Sequence, residues 1–202
     1  MRSKSGTTSE SGPDVDKPFL MVVEDVFGIT GRGTVVTGRI ERGLIKAGDK
    51  IEIVGLQKTR KTKCAGLEMF QKTVQEARPG DTVGVLLKDV KREDVVPGQV
   101  LAKPGSIAGH TEFEADISFL SAQDGGRQGA VGAEYQPQLR FSAVEVTGAM
   151  TLPLAVWEIQ PGDNLNLEIA IPSAIAMEEG TGFTVQEGEK TIANGTVTRI
   201  IT

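Results

Sequence analysis

The sequence has few of the residues that build most metal and disulfide sites. Its 202 residues include one cysteine, Cys64, and one histidine, His110. One cysteine cannot form an internal disulfide, and the two residues together cannot supply a Cys and His zinc site. No stretch approaches the roughly 20 apolar residues of a membrane helix, and the N-terminus lacks the apolar core of a signal peptide. We therefore expect a cytoplasmic protein with no membrane segment, bound metal or cofactor.

Catalytic motifs are also missing. Cys64 falls within an alternating segment, where a small buried thiol is expected, and His110 is expected to be a surface or packing residue. The glycine-rich run from Gly28 to Thr34 lacks the G-x-x-x-x-G-K-[ST] pattern of a phosphate loop, and Gly-Lys occurs nowhere in the chain. We therefore expect no enzyme activity from this chain, and nucleotide hydrolysis by the chain alone is not supported.

Charge is distributed unequally along the chain. Residues 17–107 carry 16 Lys and Arg against 11 Asp and Glu, a net charge of +5. Residues 108–202 carry 4 Lys and Arg against 13 Asp and Glu, a net charge of −9. A basic half attracts a phosphate backbone and an acidic half repels it, so any RNA binding is predicted to map to residues 17–107.

Short runs rich in Val, Ile, Leu and Thr, separated by Gly, Pro and Asp, indicate an all-β protein. Residues 1–16 are polar and are predicted to be a flexible leader. The charge changes sign near Lys103-Pro104-Gly105-Ser106, which is predicted to join two β domains, 17–107 and 108–202. We expect two tandem β-barrels, a single helical turn near Lys91 to Val95, and a loop from Asp124 to Ala133.

Several spaced motifs resemble one known family. The runs Glu24-Asp25-Val26-Phe27, Gly31-Arg32-Gly33-Thr34-Val35-Val36-Thr37-Gly38-Arg39 and Glu68-Met69-Phe70 resemble the second domain of bacterial elongation factor Tu. Past the connection, Gly125-Gly126-Arg127, Pro137-Gln138, Val146-Thr147-Gly148 and Pro161-Gly162-Asp163-Asn164 resemble its third domain. The resemblance covers nearly everything from Lys17 to Thr202, and a 16-residue leader stands where the GTPase domain of the family would precede it.

The resemblance implies a translation module that binds aminoacyl-tRNA. In the family the second domain receives the 3′ terminal adenosine and the aminoacyl group, and the third domain contacts the T stem. Carried over residue by residue, the acceptor-end pocket would comprise Glu24, Asp25, Ile29, Arg32, Val35, Thr37, Glu68 and Leu86. Possible T-stem contacts would be Arg127, Gln138 and Thr147. From the residues alone, Ile29 and Val35 are expected to pack within the barrel, and Glu68 is expected to be a solvent-exposed residue of a strand.

The sequence departs from the family pattern at several positions. Thr82 stands where the family usually has Asn, and Gly28 where it usually has Ser. Gln128 to Gln136 lacks cationic and aromatic residues that the family carries there, and Glu134 adds a negative charge. Ser142 and Glu145 stand where the family has Arg and Asp. These changes predict weakened T-stem contacts.

Two functions remain open from the sequence. One is an elongation-factor-Tu-like module that binds the acceptor end of aminoacyl-tRNA, alone or together with a GTPase domain or other translation proteins. The other is a truncated paralogue that acts as a protein-interaction module with little or no tRNA binding. The basic half favours the first function, and the acidic half favours the second.

Overall fold

The computed structural model describes residues 14–202, and its regular structure there is antiparallel strand apart from one 3-10 turn, Arg92–Asp94. The all-β fold of two tandem barrels and the single turn are confirmed. Of the predicted leader, residues 1–13 lie outside the described residues, whereas residues 14–16 are exposed. Within the described range no helix is long and apolar enough to cross a membrane.

Ten strands build the first barrel. They are β1 (Leu20–Val22), β2 (Asp25–Ile29), β3 (Gly33–Arg42), β4 (Ile45–Lys46), β5 (Lys50–Val54), β6 (Arg60–Met69), β7 (Lys72–Val74), β8 (Glu76–Ala77), β9 (Thr82–Leu87) and β10 (Val100–Ala102). Six of them close a circle in the order β1-β10-β5-β6-β9-β3, because β1 pairs with β3 as well as with β10. Strand β2 is added to β3 and β7 to β6, while β4 and β8 form a separate short sheet.

Nine strands build the second barrel. They are β11 (Ala108–Phe119), β12 (Val131–Gly132), β13 (Gln138–Phe141), β14 (Val144–Thr147), β15 (Ala149–Thr151), β16 (Glu158–Ile159), β17 (Asn164–Met177), β18 (Gly182–Glu187) and β19 (Lys190–Ile200). Seven follow the order β14-β13-β18-β19-β11-β17-β15, and β14 also contacts β17, so the sheet curls around its own core. The predicted loop from Asp124 to Ala133 is wrong at β12, where Val131 is buried and pairs with Ile159.

Alternation of side chains decides which face of each strand enters the core. Along β3, Val36 and Ile40 are buried while Arg39 is exposed, as expected when successive side chains point to opposite faces. The second core centres on Phe113, Phe141 and Phe183, with ring centroids 4.9–5.9 Å apart. Edge-to-face and stacked contacts of this kind stabilise a core beyond simple area burial.

The two barrels pack directly against each other. Their connection is a turn in which Ser106 N donates to Lys103 O (3.0 Å) and Gly105 N donates to Glu52 Oε2 (3.0 Å). Leu56, from the β5–β6 loop, packs against the core of the second barrel. Arg42 of the first barrel forms an ion pair with Glu178 of the second. These contacts fix how the two barrels sit relative to each other.

Candidate functional site

A cleft of about 180 Å³ opens on the outer surface of the first barrel. It lies over the adjoining strands β3, β9 and β6. The β2–β3 turn and β7 also contribute to its lining. Its lining residues are Ile29, Arg32, Val35, Ala65, Gly66, Leu67, Glu68, Thr73, Gly84 and Leu86.

Strand register brings the cleft residues together. Val35 of β3 lies opposite Leu86 of β9, and Leu86 lies opposite Gly66 of β6. Residues directly opposite one another share a face of the sheet. The intervening residues Val36 and Val85 are fully buried in the core. The remaining face of these strands must therefore point outward, where it forms the cleft.

Two strand glycines keep the cleft open. A Cβ added at Gly84 would lie 3.4 Å from Val35 Cγ1, and one added at Gly66 would lie 3.9 Å from Leu86 Cβ. Both methyl groups would therefore occupy space that is now part of the cleft. Sequence reasoning missed Gly66 and Gly84, although a glycine inside a strand is a recognised sign that another group approaches closely.

A β-bulge shapes the β6 wall. The register between β6 and β9 shifts between Cys64 and Gly66. Cys64 lies opposite Leu87 and Gly66 lies opposite Leu86, so a step of two residues along β6 matches a step of one residue along β9. Ala65 is the extra residue, and it lines the cleft. Bulges bend a strand and turn its side chains in a new direction, and they are common beside functional sites.

A charged pair stands at the rim of the cleft. Arg32 Nη1 lies 3.5 Å from Glu68 Oε1, with the two side chains 63% and 44% exposed. Because both groups are exposed, the pair contributes little to stability and can exchange partners. The carboxylate can accept hydrogen bonds from hydroxyl groups, and the guanidinium can stack on a flat ring or bind a phosphate.

Of the eight residues predicted for the acceptor-end pocket, five line this cleft: Ile29, Arg32, Val35, Glu68 and Leu86. The other three, Glu24, Asp25 and Thr37, lie farther along β2 and β3 and do not line it. Glu24 N donates to Thr37 O (2.8 Å), and Asp25 lies opposite Thr37. Thr37 in turn lies opposite Gly84, so Asp25 and Thr37 continue the face that carries the cleft, whereas Glu24 lies just before β2.

The predicted T-stem residues have different environments. Gln138 and Thr147 lie opposite each other on β13 and β14, and both are exposed. Arg127 is only partly exposed, forms an ion pair with Glu187 and lies 5.3 Å from the centre of the Tyr135 ring. Burial and the Glu187 carboxylate raise the pKa of Tyr135, which keeps its hydroxyl available as a donor to Glu187.

All four cations of the second barrel have partners within the protein. Arg127, Arg140 and Arg199 form ion pairs with Glu187, Glu145 and Glu114. Lys190 Nζ donates to the Gly126 carbonyl oxygen (2.8 Å). Each cation of this barrel therefore lies beside an oxygen of the same barrel, which lowers the positive potential that it offers to an outside anion.

Cys64 and His110 are the remaining candidates for chemistry. Cys64 is buried, and burial raises the pKa of its thiol to about 11. His110 is half-buried in β11. Within residues 14–202, no three His, Cys, Asp or Glu side chains come together in a group that could hold a metal ion.

Comparison with protein families accounts for both barrels. Residues 33–102 match the family model for elongation factor Tu domain 2, and residues 106–201 match that for the elongation factor Tu C-terminal domain. The first range covers β3 to β10, including β3, β6, β7 and β9 of the cleft but not Ile29 of β2 or Arg32 of the turn, and the second covers β11 to β19. Through both barrels the chain therefore belongs to the elongation factor Tu domain families, as a translation-factor-like module in which a domain 2 is followed by a C-terminal domain.

Proposed function

We propose that the first barrel binds the acceptor end of aminoacyl-tRNA and that its cleft receives the 3′ terminal adenosine. The observation that carries this proposal is the meeting of Ile29, Arg32, Val35, Glu68 and Leu86 around one cleft. Domains 2 and 3 of elongation factor Tu generally take part in aminoacyl-tRNA binding. The match to both domains supports the same function here.

The dimensions and chemistry of the cleft suit a single nucleobase. Its volume of about 180 Å³ is below the roughly 300–1,000 Å³ of sites that enclose drug-sized ligands. Ile29, Val35 and Leu86 offer apolar surface to the faces of a base, which is how proteins hold unstacked bases of single-stranded RNA. Glu68 accepts a hydrogen bond from a ribose hydroxyl, and Arg32 lies beside it to neutralise its charge.

The second barrel is proposed to add little to RNA affinity. Each phosphate contact needs a cation, and the four cations of this barrel would have to exchange their internal partners in a barrel whose net charge is −9. We also propose that the two barrels act as a binding module without catalysis, since the chain has no Gly-Lys for a phosphate loop. Any control by GTP would come from a GTPase domain that acts with them.

Glycine variants test the cleft directly. Gly66→Ala and Gly84→Ala each place a methyl group in the cleft without close backbone contact. We expect each to lower affinity for an aminoacylated acceptor minihelix about tenfold or more, because one methyl group in a binding pocket is worth roughly 1–3 kcal/mol. Gly132→Ala is the matched control, because its Cβ would meet nothing within 4 Å. Equal binding by all four proteins would contradict the proposal.

A protein-interaction role is the second candidate, and one observation favours it. Leu154 and Trp157, close together in the β15–β16 loop, are 105% and 87% exposed. Large exposed apolar side chains on an otherwise acidic barrel are typical of contact surfaces for other proteins. Two results together would favour this role over the first. The wild-type chain would bind no minihelix at low salt, and the double variant Leu154→Ser with Trp157→Ser would no longer co-purify with a translation protein.

A further inference from the structure

A second recess on the first barrel is lined by lysines. It has a volume of about 470 Å³, and four of its lining residues are Lys50, Lys61, Lys63 and Lys88. We refer to it as the lysine groove. Among the described residues, Asp89 is the single acidic residue that lines it.

Three of these lysines meet at one point of the sheet. Lys50 of β5 lies directly opposite Lys63 of β6, and Lys88 N donates to Lys63 O (3.0 Å) just past the end of β9. Like charges directly opposite each other on neighbouring strands destabilise a sheet. A bound anion relieves that repulsion.

Carboxylates do little to neutralise the groove. Among the described residues, Lys50, Lys63 and Lys88 have no carboxylate oxygen within 4.0 Å. Lys61 reaches Glu52 only at 4.0 Å, and the Glu52 carboxylate already accepts a hydrogen bond from Gly105 N. The groove therefore keeps its positive charge, in contrast to the second barrel.

The lysine groove lies next to the cleft. Lys88 is the second residue after Leu86, a separation of about 7 Å along an extended chain. Lys63 precedes Gly66 on β6 by three residues. A nucleotide chain that leaves the cleft in this direction meets the lysines within its first residues.

We propose that the lysine groove binds the phosphate backbone of a single-stranded RNA whose 3′ terminal base occupies the cleft. This inference rests on the proposed function, because it assumes that the cleft binds the terminal base. Lysine ammonium groups are compact charges that bind phosphates without reading the sequence, so the groove would add affinity and direction, while the cleft selects the end.

The test compares two double variants of the full chain with equal loss of charge. Lys63→Gln with Lys88→Gln removes two groove lysines, and Lys58→Gln with Lys91→Gln removes two exposed lysines outside it. Binding to a short single-stranded RNA ending in adenosine is measured between 50 and 200 mM salt, with free adenosine as the probe for the cleft. The slope of log affinity against log salt should fall by about 1.4 for the groove variant, two contacts at about 0.7 each. The control variant should keep the wild-type slope.

Each outcome has a defined meaning. A reduced slope with unchanged adenosine binding supports the groove, and a reduced slope in a protein that binds no adenosine supports the groove while contradicting the proposed function of the cleft. Equal slopes in both variants overturn the groove. Binding of poly-glutamate that competes with the RNA and depends equally on Lys63 and Lys88 also overturns it, in favour of an acidic peptide partner.

Discussion

At the scale of single residues, the cleft depends on small and buried groups beneath it. Gly66 and Gly84 leave space that any other residue would fill. Cys64, at the start of the bulge, is fully buried, and its Sγ lies 3.5 Å from the Gly66 carbonyl oxygen. The thiol thus supports the cleft wall from inside the barrel and takes no part in the surface chemistry.

The thiol of Cys64 should be unreactive in the folded protein. Burial raises its pKa to about 11, while an unfolded thiol has a pKa of about 8.5, and only the thiolate is alkylated. At pH 8.5 we expect alkylation by iodoacetamide to be about 100-fold slower in native protein than in urea-unfolded protein, measured by mass spectrometry. Because the pKa of the thiol is higher in the folded state than in the unfolded state, its contribution to stability is complete below pH 8. That contribution is lost as the pH rises towards 11. Equal rates in the two states would show that Cys64 is accessible.

At the scale of strands, closure of the first barrel depends on a close approach between β1 and β3. A Cβ at Gly38 of β3 would overlap the carbonyl oxygen of Val22 in β1. The register between these strands also shifts, between Leu20 and Met21. A residue with a side chain at position 38 would force apart the two strands that complete the circle.

Gly38→Ala should therefore destabilise the protein strongly. We expect a loss of about 3 kcal/mol in the free energy of unfolding, because the new methyl group meets backbone that cannot move without breaking the β1–β3 pairing. Gly66→Ala is the matched control in the same barrel, since its Cβ makes only ordinary contacts, 3.9 Å or longer. Urea unfolding followed by circular dichroism compares the two. A Gly38→Ala midpoint as high as that of the control would contradict the argument.

At the scale of the whole molecule, one ion pair joins barrels of opposite charge. The Arg42 side chain is 18% exposed and Glu178 is 43% exposed, with a second contact from Arg42 Nη2 to Glu178 Oε2 at 3.3 Å. Arg42 Nε is buried and has no hydrogen-bond partner within the described residues. The guanidinium therefore relies on Glu178 for much of the polar contact that replaces water.

Glu178→Gln should weaken the packing of the two barrels. A hydrogen-bonded contact to a charged group contributes about 1.5–3 kcal/mol, and the variant leaves the mostly buried Arg42 charge without its counter-ion. We expect the free energy of unfolding in urea to fall by about 1–2 kcal/mol, less than the full value because partial exposure screens the pair. The unfolding transition should also become less cooperative. Glu179→Gln, on the neighbouring exposed residue, is the control. Identical unfolding curves for the two variants would show that other contacts hold the barrels together.

Strand alternation and turn residues predicted much of the architecture. The all-β fold, the turn at Arg92–Asp94 and the buried thiol of Cys64 all follow from local pattern, because a period of two residues determines which side chains face the core. The same reasoning failed at Val131, which a glycine-rich context assigned to a loop. Its pairing partner, Ile159, is too distant in sequence for any local pattern to reveal.

The sequence by itself determined the two-barrel fold and the charge difference between the halves, and its family resemblance supplied five of the ten residues that line the cleft. Only the tertiary structure decided that five of the eight predicted residues meet around one cleft and that Glu24, Asp25 and Thr37 lie beyond it. It also decided that Arg127 and Arg199 are neutralised by carboxylates 60 and 85 residues away, while Lys63 and Lys88 are not. The physical reason is that strand register and ion pairing depend on contacts between distant segments, which a local pattern constrains only to one face of the sheet.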